Sequence, residues 1–220
     1  MASVITFDFY GTLVQWHETL QAAFIEILRR HGRPDSEASI LAHGFQEEGR
    51  RLRDTPPWKP YRQVLRDSVI FAMAQAGLTA GAADTDGVID RLSRIPAHPD
   101  VPAALATLKK HYRLAAISNT DDDLIAGSLP SLGLELDAVV TAQQAQAYKP
   151  DLRLFRHAHK VLGVTPADVI HIAASQPLDM AVCRVLGIRA FWVNRRGEQA
   201  EEQYKPFTEV TTVAEAVALL

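Results

Sequence analysis

The sequence predicts an α/β protein with a doubly wound parallel sheet and a long helical insertion. After residue 96, short apolar runs rich in β-branched residues alternate with helical segments. Residues 15–95 instead show helical periodicity, and no convincing strand lies between the helical segments that follow residue 36. Strands that alternate with helices favour right-handed βαβ crossovers and a parallel sheet. We therefore expect a core made of residues 1–14 and 96–220, with an all-helical region, residues 15–95, inserted into it.

The first strand and the helices that follow have clear boundaries. Ser3–Phe9 is an almost continuous apolar run closed by Gly11, which is typical of a buried parallel strand. A helical pattern starts at His17 and ends at Gly32, and Pro34 prevents its continuation. Further helices of the insertion are predicted at residues 36–53, 60–76 and 88–92.

The second part of the chain alternates between the two element types. Strands are predicted at residues 114–117, 138–141, 169–173 and 188–193, with Val210 in a last edge strand. Helices are predicted from the turn containing Pro102 to about His111, and at residues 121–127, 151–162 and 177–186. These elements complete a Rossmann-like core, in which ligands bind at the carboxyl ends of the strands.

Composition and charge exclude several classes of protein. The chain has 220 residues, 47% hydrophobic and 22% charged, and its formal charge is −3 without a basic run, so we expect no nucleic-acid partner. It has no apolar stretch of about 18 residues and no basic amino-terminal leader, so we expect neither a membrane span nor secretion. Its one cysteine, Cys183, cannot form an intrachain disulfide and suits the cytoplasm.

Polar residues follow four of the predicted strands, where a parallel sheet gathers them into one crevice. They are Asp8 to Thr12, Ser118 to Thr120, Tyr148 to Pro150, and Ser175 and Gln176 with Asp179. This set contains a carboxylate nucleophile, a cation to hold it ionised, and donors for developing negative charge. We expect Lys149 to keep Asp8 ionised by lowering the pKa of its carboxyl group.

These residues resemble the haloacid dehalogenase superfamily, and within it the L-2-haloacid dehalogenase type. The segment from Phe7 to Leu13 is a highly specific match to the first motif, and Ser118, Lys149 and Asp179 follow in the order and spacing of the other three. The resemblance covers nearly the whole chain. It also implies that the helical insertion is a cap domain over the crevice.

The resemblance implies a role for each matched residue. Asp8 is the nucleophile, Lys149 stabilises it, and Asp179 organises the site or its water. Thr12, Ser118 and Asn119 position the reacting carboxylates. The reaction implied is hydrolysis of a small anionic 2-halocarboxylate to a 2-hydroxy acid through an aspartyl ester, without a cofactor or a metal.

Two positions distinguish this chain from the phosphatases of the superfamily. Those enzymes have a second Asp two residues after the nucleophile, where this chain has Tyr10, and Gly-Asp where it has Ala173 and Ala174. Both differences favour substitution at carbon without Mg²⁺. The segment Asp84–Gly87 mimics a phosphatase first motif, but no buried strand precedes it, so we predict a surface turn there.

Substrate contacts are expected from the strand ends and from the cap: Tyr10, Thr12, Trp16, Gln46, Ser175 and Gln176. Gln46 stands where the dehalogenases have a cap Arg that holds the halide, and Arg50, Arg51 or Arg53 are candidates to replace that cation. Phe155 replaces an expected Tyr, and Ala174 and Gln176 replace an expected Ser and Asn. We interpret His171 as a structural residue.

Three alternatives to a dehalogenase stay open at this point. The first is a related hydrolase that opens a strained ring in a small carboxylic acid, with Tyr10 or a His as proton donor. The second is a magnesium-dependent phosphatase, and the third is a catalytically silent protein that binds small carboxylates. The oligomeric state is equally open, with a homodimer among the alternatives.

Overall fold

A computed structural model describes residues 3–220, so the first two residues of the predicted core lie outside it. Its sheet is six-stranded and parallel throughout, in the order β3-β2-β1-β4-β5-β6. The strands are β1 (Val4–Phe7), β2 (Arg113–Ser118), β3 (Ala138–Thr141), β4 (Val169–Ala173), β5 (Arg189–Val193) and β6 (Thr208–Val210). The predicted doubly wound α/β fold is confirmed.

Strand β1 lies inside the sheet, between β2 and β4, and all four of its side chains, Val-Ile-Thr-Phe, are buried. It pairs on one side with β2, where Phe7 faces Ala116, and on the other with β4, where Phe7 faces Ile172. A strand with neighbours on both edges and no solvated face is mostly apolar, and its one polar side chain, Thr6, has a hydrogen-bond partner in His171 at 2.8 Å. The polar residue after Phe7 therefore emerges at the carboxyl end of the middle of the sheet.

Ten α-helices are found within residues 3–220, and they divide between two compact units. The sheet unit comprises the described part of Met1–Gln15, Pro96–Asn119 and Ser128–Leu220, and the helical unit comprises Trp16–Ile95 and Thr120–Gly127. The helical unit holds α1 (Trp16–Arg30), α2 (Ala38–Asp54), α3 (Tyr61–Gln75), α4 (Ala82–Leu92) and α6 (Asp122–Ala126). The sheet unit holds α5 (Val101–Leu108), α7 (Ala142–Ala145), α8 (Leu152–Leu162), α9 (Ala181–Leu186) and α10 (Val213–Ala218). No helix in the described part of the chain is long and apolar enough to span a bilayer.

The prediction of a surface turn at Asp84–Gly87 is wrong, because these residues lie inside α4. Asp84 is buried, and its carboxylate accepts from the backbone N–H of Gly81 over 2.9 Å. Arg30, the last residue of α1, and His31, which follows it, bind the same carboxylate at 2.9 and 3.1 Å. Burial by itself would raise the pKa of Asp84, but these partners hold it below its ordinary value. With this carboxylate ionised, the helix starts at Ala82, six residues earlier than Val88 and two residues before Asp84 itself, despite poor helix formers nearby.

The acidic run Asp121–Asp123 lies at the start of α6, and its first residue also binds the first turn of α3. Asp121 is the N-terminal cap residue of α6, yet its carboxylate accepts from the backbone N–H groups of Tyr61 and Arg62, both at 2.8 Å. These two groups belong to the first turn of α3, whose N–H groups have no partner within the helix. Asp121 thus ties residues 120–127 to the helices of the insertion.

Candidate active site

Asp8 is presented by the end of β1 and a tight turn. Its backbone N–H donates to the carbonyl of Ile172 over 3.1 Å, which extends the pairing with β4. The chain then reverses, as Leu13 donates to the carbonyl of Phe9 over 2.9 Å, and Gly11 adopts a φ of 81°. This left-handed conformation is strained for a residue with a Cβ, which accounts for the glycine in the first motif.

Lys149 lies between two carboxylates. Its Nζ donates to Oδ1 of Asp8 over 2.8 Å and to Oδ1 of Asp179 over 2.7 Å, and its side chain is 1% exposed. Burial by itself would lower the pKa of Lys149, but the two carboxylates together raise it above its ordinary value. The site therefore contains a charged ammonium held at a fixed place by two acids from different segments.

Lys149 lowers the pKa of Asp8, as expected, but other contributions outweigh this effect. Burial raises the pKa of this carboxyl above its ordinary value, and the negative charge of Asp179 adds to the rise, so that Lys149 and Thr12 offset only part of it. Burial would also raise the pKa of Asp179, but Lys149 and His171 hold it below its ordinary value. The surroundings therefore shift the pKa values of these two carboxyl groups in opposite directions.

Thr12 orients the second oxygen of the Asp8 carboxylate. Its hydroxyl accepts from the backbone N–H of Ala174 over 2.9 Å and donates to Oδ2 of Asp8 over 2.7 Å. Because the Ala174 N–H can only donate, the hydroxyl proton is directed to Asp8. Both oxygens of Asp8 thus accept hydrogen bonds, a pattern that fits the ionised carboxylate.

Arg195 fixes the backbone of the same turn, a contact that the sequence analysis missed. Its Nη2 donates to the carbonyl of Thr12 over 3.0 Å and its Nη1 to Asp100 over 2.9 Å. Asp100 also accepts from the backbone N–H of Val213 over 2.9 Å. Burial would raise the pKa of Asp100, but Arg195 holds it below its ordinary value, so this ion pair is charged where it supports the turn.

Ser118 and Asn119, at the end of β2, have different environments. Asn119 accepts from the backbone N–H of Lys149 over 2.7 Å through Oδ1 and donates to the carbonyl of Lys149 over 3.3 Å. It therefore positions the main chain of Lys149. The Ser118 hydroxyl is buried and has no hydrogen-bond partner among residues 3–220. Such a group is available to a bound ligand or water.

Ser175 and Gln176 are engaged with the backbone around Asp179. Ser175 Oγ accepts from the N–H of Leu178 over 3.3 Å and caps the π-helical turn Gln176–Met180 that carries Asp179. The buried Gln176 amide donates to the carbonyl of Gln199 over 2.9 Å and accepts from the N–H of Glu201 over 2.8 Å. Both side chains thus stabilise the segment from which Asp179 reaches Lys149.

The other predicted contact residues are Tyr10 in the sheet unit and Trp16 and Gln46 in the helical unit. Tyr10 is half-buried beside Phe9, with ring centroids 5.3 Å apart and an edge-on geometry. In the helical unit Trp16 is half-buried at the start of α1, and Gln46 is exposed on α2. Of the candidate cations on α2, Arg51 is paired with Glu48 at 2.6 Å. Arg50 and Arg53 lie on the same helix.

His171 was interpreted from the sequence as a structural residue, but it also contacts the site residue Asp179. It is fully buried within β4, its Nε2 lies 3.1 Å from Oδ1 of Asp179, and its Nδ1 lies 2.8 Å from Oγ1 of Thr6. The ring of Phe155 packs edge-on against it at 5.1 Å. A histidine inside an otherwise apolar strand was the available signal, because a buried imidazole needs polar partners.

The donor set of the site does not fit a divalent metal. Across residues 3–220 no group of three or more His, Cys, Asp and Glu side chains is arranged to hold an ion. Mg²⁺ prefers several oxygen ligands, whereas the ammonium of Lys149 already binds one oxygen of each of the acids Asp8 and Asp179. The positive charge at this strand end is supplied by the chain itself.

Comparison with known proteins gives consistent similarities. A family model described as haloacid dehalogenase-like hydrolase matches residues 2–208. An (S)-2-haloacid dehalogenase of Pseudomonas sp. (strain YL) is 29% identical over 98% of this chain and 93% of its own length. The (S)-2-haloacid dehalogenase 4A of Burkholderia cepacia is 28% identical over 97% of this chain and 93% of its own.

Among solved structures, a dehalogenase with an intermediate complex superposes with a TM-score of 0.87 over 100% of this chain and 97% of its own. Its sequence identity of 23% makes this a likeness of fold.

Proposed function

Because the chain belongs to the haloacid dehalogenase-like hydrolases, we propose that it hydrolyses the carbon–halogen bond of a small (S)-2-haloalkanoic acid to give a 2-hydroxy acid. The observation that carries this proposal is that the buried ammonium of Lys149 donates hydrogen bonds to the carboxylates of both Asp8 and Asp179. A carboxylate held in this way is a nucleophile suited to covalent catalysis. The names of the two relatives support the choice of substrate.

In the first step an oxygen of Asp8 attacks carbon 2 of the substrate. The new oxygen–carbon bond forms as the carbon–halogen bond breaks, and the bonding pair leaves with the halide. A halide is the anion of a strong acid and needs no proton, which agrees with Tyr10 in the position where a phosphatase has an acidic residue. Thr12 and Lys149 hold the two carboxylate oxygens and so restrict the direction of attack.

In the second step water hydrolyses the aspartyl ester. Its oxygen attacks the carboxyl carbon of Asp8, its proton passes to Asp179, and Lys149 stabilises the oxyanion that forms. The intermediate then expels the product oxygen, which takes a proton and leaves as the hydroxyl group of the 2-hydroxy acid. The balance is one water consumed, with one halide and one proton released, and no cofactor takes part.

Substrate binding is the part of the proposal that involves both units. We assign the substrate carboxylate to Ser118, whose buried hydroxyl has no partner within residues 3–220, and the apolar side of the substrate to Tyr10 and Trp16. We also propose that the helical unit is the cap domain of the family, with Gln46, Arg50 and Arg53 as its candidates for binding the leaving halide. The one cysteine, Cys183, is buried and suits the cytoplasm as the location.

The ester is tested by a single turnover in ¹⁸O-labelled water with excess enzyme and (S)-2-chloropropionate. One ¹⁸O atom should enter Asp8, detected by peptide mass spectrometry, and the 2-hydroxy acid should carry none. Label that appears directly in the product would rule out the ester. The Asp8→Asn variant should release no halide while its thermal unfolding shows that it is folded.

A further inference from the structure

Two donors converge on one oxygen of Asp179. Lys149 Nζ lies 2.7 Å and His171 Nε2 lies 3.1 Å from Oδ1, whereas Oδ2 is buried and has no hydrogen-bond partner among residues 3–220. An unpaired buried carboxylate oxygen is costly unless a ligand or water uses it. The arrangement therefore distinguishes the two oxygens of a carboxylate that is chemically symmetric.

The orientation of His171 follows from its partners. An ionised carboxylate only accepts, so Nε2 of His171 carries the proton directed at Asp179. Nδ1 faces the hydroxyl of Thr6 on the neighbouring strand β1 over 2.8 Å, and the ring of Phe155 packs edge-on beside it. Contacts from β1 and α8 thus hold the imidazole so that Nε2 reaches Oδ1 and no other oxygen of Asp179.

We propose that His171 is a positioning residue for the ester-hydrolysis step, acting through Asp179. By occupying Oδ1 together with Lys149, it leaves Oδ2 as the oxygen that receives the proton of the attacking water. The inference rests on the proposed function. It assigns His171 no part in the first step, in which Asp8 displaces the halide.

A lone pair of the water oxygen forms a bond to the carboxyl carbon of the Asp8 ester while an O–H bond of the water breaks, and that proton passes to Oδ2 of Asp179. When the tetrahedral intermediate collapses, the ester carbon–oxygen bond breaks and the departing product oxygen takes this proton back. Asp179 is then ionised again, and the carboxyl group of Asp8 loses its remaining proton to solvent.

The charged and titratable groups around His171 come from several elements. They are Asp179 from the π-helical turn, Lys149 and Asp8 across that carboxylate, His159 from α8, and Cys183 from α9. Burial and repulsion from His171 lower the pKa of His159, and burial raises that of the Cys183 thiol, so both stay neutral near pH 7. Lys149 and His171 are thus the groups that keep the pKa of Asp179 below its ordinary value.

The test separates the two steps in the enzyme acting on (S)-2-chloropropionate. Single-turnover halide release reports ester formation, and decay of the Asp8 adduct, followed by intact-mass spectrometry after an acid quench, reports hydrolysis. His171→Leu removes the donor, and His171→Gln retains an N–H of similar reach. His159→Leu is the matched control, because His159 is also a buried histidine but its Nε2 has no hydrogen-bond partner in the described chain.

We expect adduct decay to be about tenfold slower or more in His171→Leu, with halide release changed less than about twofold. His171→Gln should recover part of the decay rate, and His159→Leu should match the wild type. The loss of one donor to Asp179 should also raise the pH at which adduct decay falls off on the acid side. Circular dichroism on each variant checks that it is folded.

Three outcomes would overturn the inference alone: equal slowing of halide release and adduct decay, the same decay rate in His171→Leu as in the wild type, or an acid limb of decay that does not move. If the wild-type protein releases no halide and forms no adduct at Asp8, the proposed function fails and the inference with it.

Discussion

Lys149 donates to the Asp8 carboxylate over 2.8 Å, although 141 positions of sequence separate the two residues. The same ammonium also binds Asp179 at 2.7 Å, so one positive charge is buried with two negative ones. Buried charges are tolerated when they are paired, and removal of one partner leaves the other uncompensated. The contact therefore links the stability of the sheet unit to its chemistry.

Lys149→Met should destabilise the protein markedly, because Asp8 and Asp179 would face each other without a cation. We expect the free energy of unfolding, measured by urea titration, to fall by about 3–5 kcal/mol. The control is Lys109→Met, which removes an exposed pair with Asp137 and should cost less than about 1 kcal/mol. Equal losses in the two variants would show that the buried ammonium has no special effect.

Thr12→Val should slow halide release by at least about tenfold, since it removes a hydrogen bond to a charged oxygen while keeping the shape of the side chain. Single-turnover halide release measures this effect. Thr107→Val serves as the control, because the Thr107 hydroxyl donates only to the carbonyl of Ala103 within its own helix, on the surface. If both variants react like the wild type, Thr12 does not orient Asp8.

Asp179→Asn should move the acid limb of halide release to lower pH. Halide release needs ionised Asp8, so the rate falls as the pH drops through the pKa of this carboxyl. Burial first, and then the charge of Asp179, keeps that pKa above its ordinary value. Removal of the charge of Asp179 lowers the pKa of Asp8, so halide release should fall off at a lower pH. The measurement is single-turnover halide release against pH; an unchanged or higher limb would contradict the expectation.

Asp121→Ala should lower the free energy of unfolding by about 1–2 kcal/mol, because two N–H groups in the first turn of α3 lose their acceptor. Asp123→Ala removes only an exposed ion pair with Arg62 and should cost less than about 1 kcal/mol. Urea titration of both variants makes the comparison. A larger loss for Asp123→Ala would assign the stabilisation to the ion pair instead.

The sheet and the main acids of the site were predictable from the sequence for simple reasons. Buried parallel strands are mostly apolar, so β3 and β4 were predicted with their observed bounds, and polar residues after the strands lie at one edge of the sheet. The nucleophile turn is recognisable because Gly11 must adopt a positive φ. These features depend on local pattern.

What the sequence did not predict depends on tertiary partners. The start of α4 needs Arg30 and His31 around Asp84, and no helical periodicity before Val88 indicates them. His171 reads as a polar interruption of a strand until Asp179 and Thr6 are placed beside it. The upward shift of the pKa of Asp8 likewise arises from burial and from Asp179, which outweigh the contact with Lys149.

The position of β1 in the sheet constrains the order of events during synthesis. Of the six strands this one is translated first, and its two neighbours, β2 and β4, begin only at Arg113 and Val169. Its apolar residues cannot be covered by both neighbours until Ala173, the end of β4, has been translated. Pairing over such separations is slow, and an unpaired apolar strand favours aggregation. The interval between the synthesis of β1 and that of β4 is therefore the stage at which we expect the nascent chain to be most prone to aggregation.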